Sequence, residues 1–238
     1  MDILNLLQII SLNFLKPFLN NTFAFLLNPC ALQLNMKVSI IKYNSGNVQS
    51  VLFALERIGI NAIVTDDLEQ LQNSDKIILP GVGEASSAMK YLKENKLDQL
   101  IIGLKQPVLG ICLGMQLMCN YSEEGNTNCL GIFDTNVKLF THAIFDSTQL
   151  KIKVPQMGWN SIYDLKTNLY NGIKENDYVY FVHSYFAELG KHTVAKTHYG
   201  LEYSSSLQKN NFYATQFHPE KSSDAGQLIL ENFIRSTK

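Results

Sequence analysis

The run Val108-Leu109-Gly110-Ile111-Cys112-Leu113-Gly114-Met115-Gln116 reads as a buried strand that stops at a cysteine and turns at once into a helix. Val108 and Leu109 lead in as an apolar strand, and Leu113 to Cys119 carries a helix start. Gly110 and Gly114 flank Cys112. Small neighbours let the backbone bend sharply and leave the side chain exposed, as in a nucleophile elbow. A helix N-terminus at that turn favours a thiolate and offers free backbone N–H groups to a developing oxyanion. The other reading of the same residues is a buried cysteine in a core strand.

Working back from this run, the chain alternates strand and helix. Val38 to Ile41 is a continuous apolar run, which reads as a buried parallel strand. Tyr43-Asn44-Ser45-Gly46 turns, and Asn47 is placed to cap a helix carrying Val48, Val51, Leu52, Leu55 and Ile58 on one face, ended by Gly59. Asn61 to Thr65 and Lys76 to Leu79 give two more strands, and a helical region from Glu84 to Lys105 breaks near Asn95. The order predicts an α/β fold: a doubly wound, mostly parallel sheet flanked by helices, with its site at the carboxyl ends of the strands. After Gly125 the texture changes to β-rich additions at Val137 to Phe140, Lys151 to Val154, Tyr178 to Phe186, Thr193 to Thr197 and Phe212 to Phe217. A helix from Ala225 to Ile234 follows, its Leu230, Phe233 and Ile234 packing back on the sheet.

Near the end stands Thr215-Gln216-Phe217-His218-Pro219-Glu220-Lys221-Ser222. Pro219 biases His218 toward extended geometry, where residues two apart share a side. Glu220 can then hold one ring nitrogen of His218 while the other faces a thiol, which supplies nucleophile, base and orienting carboxylate. Alone, His-Pro-Glu would be a solvated turn; beside a Gly-x-Cys-x-Gly elbow it points to catalysis. Cys30, Cys119 and Cys129 have no comparable setting.

Composition narrows the partners. With 238 residues the chain can bury a sizeable core, and a formal net charge of −1 argues against nucleic acid or anionic membrane as a general partner. Four cysteines without a CxxC pair fit a reducing, cytoplasmic setting better than a disulfide framework, and no His/Cys cluster has zinc-ligand spacing, so neither metal nor cofactor is expected. Residues 1–35 are apolar and asparagine-rich, with Asp2 and Lys16 their only charges. They lack the basic start of a secretory signal and the length of a spanning helix. We expect a dispensable extension or mis-assigned start over 1–35, and one domain over 36–238.

Gly110 to Gln116 together with His218-Pro219-Glu220 resembles the class I (triad-type) glutamine amidotransferases. Pro80-Gly81-Val82-Gly83, Val154-Pro155-Gln156-Met157-Gly158-Trp159-Asn160 and Tyr180-Phe181-Val182-His183-Ser184-Tyr185 are similar to segments of the glutaminase subunits of imidazole glycerol phosphate synthases. The resemblance covers Met36 to about Ile234. It departs at Gln156, where the family usually has histidine, and at Lys42, where it usually has aspartate. The resemblance implies glutamine hydrolysis by Cys112, His218 and Glu220, with an oxyanion hole from the N–H groups of Val82 and Leu113. It places Gly81, Gly83, Gln116, Glu124, Ser184 and Tyr185 around L-glutamine, with the Glu124 carboxylate on the substrate α-ammonium. It also implies a heterodimer with a (β/α)₈ cyclase subunit that receives the ammonia, with Trp159 near the subunit interface. His183 reads as a satisfied core histidine. The alternatives are a related glutaminase such as that of anthranilate synthase, a flavodoxin-like cysteine hydrolase of another amide or peptide, and a non-catalytic scaffold. The intact Cys112, His218 and Glu220 count against the scaffold.

Overall fold

In the computed structural model, residues 36–43, 47–141 and 151–236 are described below. The expectations for residues 1–35 and for the turn at Asn44-Ser45-Gly46 lie outside them. Strands β1 (Val38–Ile41), β3 (Lys76–Leu79) and β4 (Val108–Ile111) are buried along their whole length. That is the condition of a sheet covered on both faces. β2 (Ala62–Thr65) pairs with β1 at the sheet edge, where Ile63 is exposed.

Helix α1 (Val48–Arg57) buries Val51, Ala54 and Leu55, a narrower stripe than the five positions expected, and Gly59 turns the chain away at φ 79°. Asn47 does stand at its N-cap, but in left-handed backbone and with no side-chain cap. Its amide is used elsewhere. A short helix α2 (Leu68–Gln72), capped by Asp67 on the Gln70 N–H, was not foreseen. The expected break near Asn95 separates α3 (Ala85–Glu94) from α4 (Leu97–Gly103).

β4 feeds α5 (Leu113–Leu117) through Cys112. The second half supplies β5 (Tyr121–Ser122), β6 (Thr127–Asn128), β7 (Asn136–Leu139), β8 (Gln156–Ser161), β9 (Tyr178–His183), β10 (Tyr185–Ala187), β11 (Thr193–His198), β12 (Glu202–Lys209), β13 (Phe212–Thr215) and α6 (Ser223–Arg235). Two expectations need correction. Lys151 to Val154 is not a strand: only Lys151 makes a bridge, and Pro155 has no N–H to continue a ladder. Tyr178 to Phe186 is two strands, because the chain changes sheets at Ser184. β9 pairs with β8 alone, whereas β10 joins the main sheet between β7 and β12.

Among the described residues the main sheet runs β2-β1-β3-β4-β13-β12-β10-β7-β5-β6, with β11 also on β12. From β2 to β13 every pairing is parallel; from β13 to β12 it turns antiparallel. The doubly wound half is therefore completed by β13, the last strand of the chain, lying directly beside β4. The strand order reverses at β1 and β3, and the crevice beyond their carboxyl ends is where such sheets bind ligands.

Candidate active site

Cys112 sits at φ 52°, ψ −105°, a backbone state that a side chain adopts only when its surroundings enforce it. They do. The Cys112 N–H donates to Thr215 O at 2.7 Å, so β13 grips the elbow. Gly114 packs so tightly on β3 that a Cβ there would run into the Leu79 carbonyl, and one on Gly110 would lie 2.9 Å from Gly114. The flanking glycines are needed for close approach.

His218 follows β13 as Cys112 follows β4, and parallel pairing of those neighbours brings the two to one edge of the sheet. His218 Nδ1 lies 2.7 Å from Glu220 Oε1, and both side chains are buried. A carboxylate only accepts, so Nδ1 carries the proton and Nε2 is the nitrogen left for chemistry. The expected geometry holds at His218, which is extended, but Glu220 lies in a single 3₁₀ turn, Pro219–Lys221, and folds back onto the imidazole. The turn is fixed by Ser222, whose Oγ donates to His218 O and accepts the Tyr180 N–H. Burial opposes charge on His218, but the Cys112 thiolate and the Glu220 carboxylate outweigh it and raise the imidazole to about 10.

Three supporting residues were missed in the sequence. Asn47 Nδ2 donates to the same Glu220 Oε1 at 2.7 Å, which is why it does not cap α1. Gln216 Nε2 donates to Cys112 Sγ at 3.6 Å. The Tyr43 hydroxyl donates to the Pro80 carbonyl and anchors the Pro80–Gly83 loop. Of these only Gln216 left a readable signal, since it stands two residues before His218 on an extended chain and so shares its side.

Beside Cys112 opens a cavity of about 280 Å³ lined by Val82, Gly83, Leu113, Gln116, Glu124, Ser184 and Tyr185 among others. Most of the expected substrate-binding residues therefore converge. Gly81 does not line it; its carbonyl instead accepts the Leu113 N–H at 3.4 Å. Gln116 reaches the cavity, but its Nε2 is already given to Tyr185 O (2.9 Å) and Gln216 Oε1 (3.0 Å). The Tyr185 carbonyl is likewise taken, by Gln116 and by His183 Nδ1. One oxygen of Glu124 accepts the Ala85 N–H at the start of α3, and burial with the nearby Glu84 charge raises its carboxyl despite that bond. His183 is packed against Phe140, Phe181 and Tyr203, and burial pushes it down to about 4, so it is neutral. Gln156 is buried and accepts from the Tyr203 hydroxyl, which also lies 3.4 Å from His183 Nε2. Burial also raises the other described thiols, Cys119 strongly and Cys129 to about 12, leaving neither suited to attack.

A doubly wound sheet with a cysteine elbow and a carboxylate-held imidazole on the adjacent strand defines a class of protein, the class I glutamine amidotransferases. The family model "Glutamine amidotransferase class-I" matches residues 21–237. Curated relatives from several bacteria bear the name imidazole glycerol phosphate synthase subunit HisH. One, from Bacteroides fragilis, is 55% identical over 199 residues, 84% of this chain and 99% of its own length; another, from Haemophilus influenzae, is 44% identical over 84% and 97%. A solved glutamine amidotransferase superposes with a TM-score of 0.62 at 18% identity, covering 82% of this chain and 98% of that one. The chain belongs to the class I glutamine amidotransferase family and, within it, to the HisH subunits of imidazole glycerol phosphate synthase.

Proposed function

We propose that this chain hydrolyses glutamine through Cys112, His218 and Glu220 and passes the ammonia to a cyclase subunit of imidazole glycerol phosphate synthase in histidine biosynthesis. The observation that carries the reading is the pairing of β4 with β13, which sets a glutamate-held imidazole beside an elbow cysteine. The Cys112 thiolate attacks the side-chain amide carbon of glutamine. The C–N bond then breaks, with His218 Nε2 giving its proton to the departing ammonia and a γ-glutamyl thioester remaining. His218 next takes a proton from water, whose oxygen adds to the thioester, and C–S cleavage releases glutamate and restores the thiolate. Glu124 is assigned to the α-ammonium, and Gly83, Ser184 and Tyr185 to the walls of the pocket.

The oxyanion falls to the N–H groups of Leu113 and Val82. Leu113 N–H is spent on Gly81 O, so the Pro80–Gly83 loop must turn before both donors face the substrate. For the cyclase we assign the β8–β9 face, where Met157, Trp159 and Tyr178 are 65%, 52% and 62% exposed and form a patch of large apolar side chains. Residues 36–238 carry the activity, residues 1–35 are dispensable, and the protein works in the cytoplasm. Among the described residues no helix is long and apolar enough to cross a membrane.

The test is Cys112→Ala in the complex with the cyclase. It should abolish glutamine-dependent synthesis and leave ammonia-dependent synthesis intact. Glutamine hydrolysis by that variant would overturn the reading.

A further inference from the structure

Cys112 Sγ has a partner that the triad does not require. Gln216 is fully buried, and its Nε2 points at the sulfur at 3.6 Å. Which end of an amide faces a neighbour is decided by what the other end can bond, and here a chain of bonds decides it. The Tyr185 carbonyl can only accept, so the end of Gln116 beside it is the NH₂ group, at 2.9 Å. The second hydrogen of that group points 3.0 Å to Gln216, which must answer with its oxygen. The Gln216 NH₂ group is then left for Cys112. Gln116 is itself buried, so neither amide is free to turn.

We propose that Gln216 is a further catalytic residue of this glutaminase, a donor aimed at the Cys112 sulfur and locked in that sense by Gln116 and the Tyr185 carbonyl. The proposal rests on Cys112 being the nucleophile. A buried N–H beside sulfur favours the negatively charged form over the neutral one. It acts at two points: on the sulfur as attacking thiolate, and on the sulfur as leaving group, when the C–S electron pair returns to it. It also fixes where the sulfur sits relative to the pocket. Gln116 does not touch the sulfur and is a positioning residue for Gln216.

The experiment follows the thiol itself in the full-length chain: thiolate ultraviolet absorbance and the rate of iodoacetamide alkylation at Cys112, across pH, for wild type, Gln216→Leu and Gln116→Met. A hydrogen bond to a charged group is strong enough that Gln216→Leu should alkylate about tenfold more slowly at neutral pH, with the pH midpoint of thiolate absorbance moved up. Gln116→Met should move both in the same direction by less. A folded Gln216→Leu with wild-type alkylation and absorbance overturns the proposal. If that variant does not fold, wild type decides: the Gln216 side-chain amide proton should titrate with the thiolate absorbance, and an amide resonance that stays still through that range is equally fatal. Retained glutamine hydrolysis in Cys112→Ala would sink the triad reading instead. Unchanged thiol chemistry in Gln216→Leu, with Cys112→Ala inactive, would sink this proposal alone.

Discussion

At the residue scale the site divides its labour unevenly. In the proposed roles His218 moves the proton, whereas Glu220 holds His218 and is itself held by Asn47. Removing the mover costs more than weakening the holder. Glu220→Gln keeps an acceptor oxygen for Nδ1–H but loses the charge, and its turnover should fall on the order of 10²-fold, against 10³-fold or more for His218→Ala. Steady-state glutaminase assays of the two variants in the complex check the order. His183 allows a prediction about pH. Its value drops from 6.5 in the unfolded chain to about 4 in the fold, so between those limits only the unfolded state binds the proton. Stability is then present above pH 6.5 and is lost as pH falls toward 4, by up to ~3 kcal/mol from this group. Urea denaturation at the two ends of that window should show this loss in wild type and a smaller one in His183→Phe. Cys112 and His218-Pro219-Glu220 stood out in the sequence because each carries a local signature, and the fold brings them to one edge of the sheet. Asn47 did not, because its partner lies across the fold and its position before α1 suggested a cap.

At the element scale, β1, β3 and β4 fell close to where apolar runs and turn residues put them, since a strand buried on both faces leaves a continuous signal. The second half was harder to read. No local feature says that Ser184 is where the chain leaves the β8–β9 ribbon for the main sheet, or that Lys151 to Val154 stays unpaired. Those outcomes depend on partners remote in sequence. The β4–α5 joint is where an element-level change should matter most. Gly114→Ala puts a methyl group against the Leu79 carbonyl of β3, and backbone in a central strand has little room to retreat. We expect a loss of ~2–3 kcal/mol in urea denaturation, at the upper end of overpacking costs, together with slower Cys112 alkylation as the elbow is displaced.

At the scale of the whole molecule, the resting geometry predicts a subunit that waits for its partner. With Leu113 N–H engaged by Gly81 O, the lone chain should hydrolyse glutamine slowly, on the order of 10²-fold below the complex with nucleotide on the cyclase, since one oxyanion donor contributes about that much. Any ligand that drives this shift must favour the turned loop over the resting one. Glutamine hydrolysis by the chain alone, by the complex and by the liganded complex tests it, and equal rates in all three would refute the gate. The placement of β13 has a different consequence, which concerns the order in which the protein is made. Cys112 lies in the first half of the chain and His218, its proposed base, just beyond the last strand, so a ribosome delivers Cys112 long before His218 exists. A nascent or truncated chain that has closed its first four strands carries an elbow cysteine with no proton acceptor beside it. In the proposed roles such a chain has a nucleophile without its base, so glutamine hydrolysis should begin only once β13 and His218 are in place.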